Sequence, residues 1–128
     1  LVAAGTWYSS PDVARFDDAI LVLDRAADLE PFPTPNTMLM RLRTFYNYGK
    51  EMKTQAAAAT DPVAKADLSD KALANFNRAV EIGIAMTNRF AATADGFFYL
   101  SLSQLELGDY AASDANYKTY EELQGSPE

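Results

Sequence analysis

Grouped carboxylates are the residues of this chain whose type and spacing come nearest to chemistry. Asp61, Asp67 and Asp70 fall between two long apolar-patterned stretches. Acids gathered in one loop are what calcium or magnesium takes as ligands, so a cation site is the first chemistry to consider. The spacing is not the Asp-x-Asp-x-Asp-Gly of a calcium loop, and no Gly-rich phosphate loop accompanies it. The pairs Asp17-Asp18 and Glu121-Glu122 read as solvated helix faces. The chain has no Cys and no His. That removes thiol nucleophiles, His-based triads, disulfides and the usual zinc sites. Tyrosines recur at helical spacing, which is a packing pattern. The expectation is a protein that is not an enzyme and carries no cofactor.

The elements that would position any site follow from composition and period. The 128 residues are 48% apolar and 23% charged, which fits one folded domain over 1–128 with a real core. A net charge of −7 argues against nucleic acid as a partner. No apolar run approaches the ~18 residues that a membrane span needs. Leu1 stands where an initiating Met is expected, which points to a removed presequence or a trimmed fragment. With the lack of Cys, this favours an exported, extracellular or periplasmic setting over a cytoplasmic one.

The period is helical throughout, and five helices are expected. Residues 1–9, LVAAGTWYS, are an apolar tail whose Trp7 and Tyr8 need burial, over the first helix or on a neighbouring subunit. Ser10-Pro11-Asp12 is a helix start, and Val13, Phe16, Ile20, Leu23 and Ala27 form one stripe, giving a helix over about 11–30. Pro31, Pro33 and Pro35 end it. A second helix, about 36–59, carries Met38, Leu42, Phe45, Gly49, Met52 and Ala56. Thr60-Asp61-Pro62 breaks the pattern, leaving 60–68 as a loop or a single turn. The third helix, about 68–90, carries Ala72, Phe76, Ala79, Gly83 and Met86, small residues that allow close helix approach. The fourth, about 94–107, has Thr93 as its cap and is apolar round most of its circumference, which implies contacts on more than one side. Gly108 closes it in the left-handed conformation. The fifth, about 110–123, presents Ala112, Tyr117 and Tyr120.

These helix pairs resemble the tetratricopeptide repeat. Its signature is W-x2-L-G-x2-Y on the first helix of a pair and A-x3-F with a closing Pro on the second. Phe45-x2-Tyr48-Gly49-x2-Met52 is similar to the first part, and Ala72-x3-Phe76-x2-Ala79 to the second. Phe97-x2-Leu100-Ser101-x2-Gln104, Ser113-x3-Tyr117 and the turn Gly108-Asp109-Tyr110 follow it more loosely. Ala19-x3-Leu23-x2-Ala26-x4-Pro31 is similar to a second helix. The resemblance covers about 12–125 and implies an all-α, antiparallel helix-pair solenoid of about two and a half repeats. The intervals depart from the family. Ala72 to Ser113 spans 41 residues and Ala19 to Ala72 spans 53, against about 34 per repeat. Longer helices, and an insertion of roughly ten residues between Ala56 and Ser69, account for the excess.

The resemblance also implies where a partner sits. First helices line the concave face of such solenoids, so Arg43, Tyr46, Lys50 and Lys53 become a basic strip with one aromatic, suited to an acidic peptide or an acidic segment of another copy. The same residues read equally well as an ordinary solvated face. Charge is unevenly placed. Residues 36–59 are net +3, residues 1–35 are net −4 and residues 95–128 are net −6. On this reading the repeat ends lack polar caps, so Trp7, Tyr8, Phe98, Leu102, Tyr117 and Tyr120 are candidates for head-to-tail self-association into a ring or filament. The leading expectation is a structural scaffold whose partners are protein, first of all other copies of itself, in a homo-oligomer or homopolymer. The alternative is a monomeric adaptor for an acidic or extended peptide.

Overall fold

The computed structural model describes residue 18, residues 20–25 and residues 34–125, and every described element is helical. We label as α1 the helical backbone at Asp18 and 20–25. It is followed by α2 (Pro35–Ala58), α3 (Pro62–Arg89), α4 (Ala94–Glu106) and α5 (Tyr110–Gly125). The tail 1–9, with Trp7 and Tyr8, and most of the helix expected over 11–30 lie outside the described residues.

Local chemistry sets the boundaries. Thr34 caps α2, its hydroxyl accepting from the Thr37 N–H at 3.2 Å, and Pro35 takes the first helical position, where a missing N–H costs nothing. Asp61 and Pro62 repeat that arrangement for α3, with the Ala64 N–H donating to the Asp61 carboxylate at 3.1 Å. The expectation of a loop or a single turn over 60–68 is corrected: Asp61-Pro62 ends one helix and starts the next, and residues 62–68 belong to α3. Thr93 does occupy the cap position of α4, but its side chain makes no capping bond. The Gly96 N–H goes to the Thr93 carbonyl instead, at 3.1 Å. The α4–α5 turn is a Schellman closure. Asp109 N–H donates to Gln104 O at 2.9 Å and Gly108 N–H to Leu105 O at 3.1 Å, with Gly108 at φ 81°.

The helices pack as two antiparallel pairs, α2 with α3 and α4 with α5, laid so that α4 also touches α3 and α2. The stripes read from the sequence form the core. Met38, Leu42, Phe45, Met52 and Ala56 of α2 are buried against Ala72, Phe76, Ala79, Ile82 and Met86 of α3. Burying each large side chain contributes about 1.5–3 kcal/mol. Two glycines admit side chains of the neighbouring helix against the backbone. A Cβ on Gly49 would stand 2.7 Å from the Phe76 ring, and one on Gly83 would stand 3.0 Å from the Leu100 Cβ. Ile20 of α1 packs on both parts of this core, and Asp24 pairs with Arg41 of α2 at 2.7 Å.

The α4–α5 pair is held differently. Ser101, Ser103, Gln104 and Ser113 are buried, and each is satisfied. Ser101 and Ser103 donate to the carbonyls of Phe98 and Tyr99, Ser113 donates to Ser101 O at 2.8 Å, and Asn116 donates to the Gln104 side-chain oxygen at 2.8 Å. This polar seam shifts the inner face of α5 from the one expected. Ser113 is buried and Ala112, Asn116, Tyr120 and Leu123 are half-buried, while Tyr117 is 43% exposed.

The pairs also differ in length. At 24 and 28 residues, α2 and α3 run about 36 and 42 Å, whereas α4 and α5, at 13 and 16, run about 20 and 24 Å. Gly83 meets Leu100, Gly96 meets Met86, and Leu107 packs beside Phe76, so α4 lies along the C-terminal half of α3 only. The α2–α3 hairpin therefore overhangs the second pair at the Ala58–Pro62 end.

Candidate protein-interaction surface

Arg43, Tyr46, Lys50 and Lys53 share one face of α2 at spacings of three, four and three. The structure sets this face against Tyr99 and Glu106 of α4, which are seven residues apart and so on one face themselves. Lys53 donates to Glu106 at 2.7 Å and Lys50 donates to it at 3.3 Å. The Arg43 guanidinium lies 5.9 Å from the centre of the Tyr99 ring, and the Tyr46 ring stands edge-on to Tyr99 at 5.9 Å. The four residues are thus brought together, but as a clasp between neighbouring helices. Glu106 already takes the two lysine charges that an acidic peptide would need.

The electrostatics follow from that clasp. Burial pushes the Glu106 carboxyl up, but the hydrogen bonds from Lys53 and Lys50 and their charges outweigh it, and the group lies below its ordinary value of 4.5. The Glu106 side chain is 11% exposed, against 48% for Lys50 and 59% for Lys53. The lysines remain half in water, so each pair contributes no more than about 1 kcal/mol. The Tyr46 hydroxyl is pushed up, first by burial, then by the negative charge of Glu106 and by Tyr99.

Tyr46 is one ring of a row that crosses four helices. Phe76 and Tyr46 are 6.0 Å apart, Tyr46 and Tyr99 5.9 Å, Tyr99 and Phe98 5.2 Å, Phe98 and Tyr120 4.9 Å, and Tyr120 and Tyr117 5.6 Å. The row starts buried at Phe76 and reaches solvent at Tyr117. Of the self-association candidates, Phe98, Tyr117 and Tyr120 come together here, and half-buried Leu102 lies one turn from Phe98 on α4. Sequence reasoning missed Tyr99 and Glu106. Glu106 did carry a signal: an acid in the last turn of a helix is disfavoured by the dipole unless cations hold it.

A cleft of about 380 Å³ opens where the overhang begins, lined by Lys53, Ala56, Lys65, Leu73, Phe76 and Glu106 among others. Lys65, Ser69, Ala72, Leu73 and Phe76 occupy one side of α3, and Asp67, Asp70 and Lys71 fall away from it. The acids Asp61, Asp67 and Asp70 share no loop. Asp61 caps α3, and Asp67 pairs with Lys71 at 3.6 Å. Among the described residues no group of three or more acids is gathered to hold a metal ion, and no helix is long and apolar enough to cross a membrane.

No family model, curated protein or solved structure matches the chain to a significant degree.

Proposed function

We propose that this chain is a non-enzymatic helical scaffold whose copies associate through the aromatic end of the α4–α5 pair into a larger assembly. The observation that carries the reading is the aromatic row. Five further rings lead from buried Phe76 to Tyr117 at the surface, and Leu105 and Tyr110, which flank the α4–α5 turn, are 49% and 66% exposed. Rigid rings with a polar tip, open to water on one side, are what interfaces use as anchors. The clasp on Glu106 supports this reading over capture of an acidic peptide along α2, because the lysines there are already engaged. A tetratricopeptide-like stack of helix pairs is consistent with a scaffold role. Light scattering on the eluting protein tests it. A mass that rises above 14.0 kDa as concentration increases through tens of micromolar supports association. A constant monomer mass with unchanged helicity refutes it.

A further inference from the structure

We propose that the cleft beneath the α2–α3 overhang receives the outer face of α5 from a second copy, so that copies join head to tail. This rests on the self-association reading above and names the two surfaces that meet.

The cleft exists because the two helix pairs end at different heights. α4 stops at Glu106, beside Lys53 and Phe76, while α2 and α3 run on. The floor is apolar, with Ala56, Ala72 and Phe76 buried and Leu73 48% exposed. The walls carry Lys53 from α2 and Lys65 from α3, and Glu106 is the one acid of the lining. Lys65 is exposed and has no ion-pair partner among the described residues. The site thus asks for an apolar group accompanied by negative charge.

The outer face of α5 has that composition. Tyr110, Asp114, Tyr117 and Glu121 follow at spacings of four, three and four, which is a single helical stripe, and all four are exposed. Ring and acid alternate along it. The two rings are seven residues apart, about 10.5 Å along the axis, and with Tyr117 seated on Leu73 and Phe76 the acids Asp114 and Glu121 lie within a turn on either side, one of them to meet the unpaired Lys65. Within one chain α5 touches neither α2 nor α3, so the two surfaces meet only between copies. Each copy then offers a cleft at one place and a stripe at another, a contact that propagates as a filament or closes as a ring.

The lack of cysteine makes a clean test possible. Leu73→Cys and Lys118→Cys are made separately, at exposed positions that leave the Tyr117 ring in place and where circular dichroism is expected to be unchanged. The two variants are mixed under mild oxidation. The pairing predicts that the mixed disulfide exceeds the statistical share severalfold, and that a chain bearing both cysteines gives a ladder of oligomers. Lys65→Glu is expected to weaken association about fivefold, and adding Glu121→Lys to restore it. Statistical cross-linking, or a dominant Leu73→Cys homodimer, in a protein whose wild type associates overturns this pairing alone. A wild type that stays at 14.0 kDa overturns the reading beneath it.

Discussion

Gly83→Ala sets two calculable effects against each other. In an open helix the change stabilises, because Ala exceeds Gly by about 1 kcal/mol in helix propensity. Here the added methyl would stand 3.0 Å from both the Cβ and a Cδ of Leu100, and 3.3 Å from its Cγ. Leu100 is 2% exposed, and its Cβ cannot rotate away, so α3 and α4 must separate by several tenths of an ångström. Overpacking of this kind costs about 1–3 kcal/mol, so after the gain of about 1 kcal/mol the net expectation is a loss of roughly 0–2 kcal/mol. For a chain of this size that lowers Tm by up to about 8 °C. Leu100→Ala alone is expected to cost about 2–5 kcal/mol. In the Gly83→Ala background it should cost about 1 kcal/mol less, since the new methyl fills part of the space vacated. Urea denaturation followed by circular dichroism measures all four corners of the cycle. Stabilisation by Gly83→Ala, or a cycle with no coupling, would refute close contact between α3 and α4 at this point.

Two further outcomes follow from the packing and the clasp. Gly108→Ala places a side chain at φ 81° and should cost about 1–2 kcal/mol in the same urea assay, although nothing lies within 4 Å of the new methyl. Glu106→Gln should cost less than about 1 kcal/mol at pH 7. Because the folded carboxyl lies below its ordinary value of 4.5, its contribution is present above that value and fades as pH falls through the lower folded one. The acid limb of the stability profile should therefore be shallower in Glu106→Gln, and identical limbs in the two proteins would contradict the clasp.

The helices were legible because their stripes keep a strict 3.6-residue period. Each stripe residue of the α2–α3 pair, from Met38 to Met86, is buried where the period placed it. Legibility stopped where one local signal has two meanings. Pro62 breaks the apolar pattern, yet after Asp61 it is the first residue of α3. Tyr117 is a self-association candidate from its aromatic type alone, and what keeps it at the surface, the hydrogen bonds of Ser113 and Asn116 to α4, is not visible in the sequence. For the candidate site, the α2 strip follows from the tetratricopeptide resemblance together with the charge of residues 36–59. Its neutralisation by Glu106 does not, because that acid lies 53 residues beyond Lys53 and meets it only through the parallel packing of α4 on α2. The cleft was likewise invisible, since it arises from the difference in length between two helix pairs.

The central claim is that the aromatic end of α5 holds copies together. Multi-angle light scattering across a concentration series, run on the wild type and on Tyr110→Ser with Tyr117→Ser, tests it most directly. Both tyrosines are exposed, so the variant should keep its helicity. The account predicts a wild-type mass that climbs above 14.0 kDa and a variant that remains at it. Equal masses for the two proteins at every concentration would contradict it.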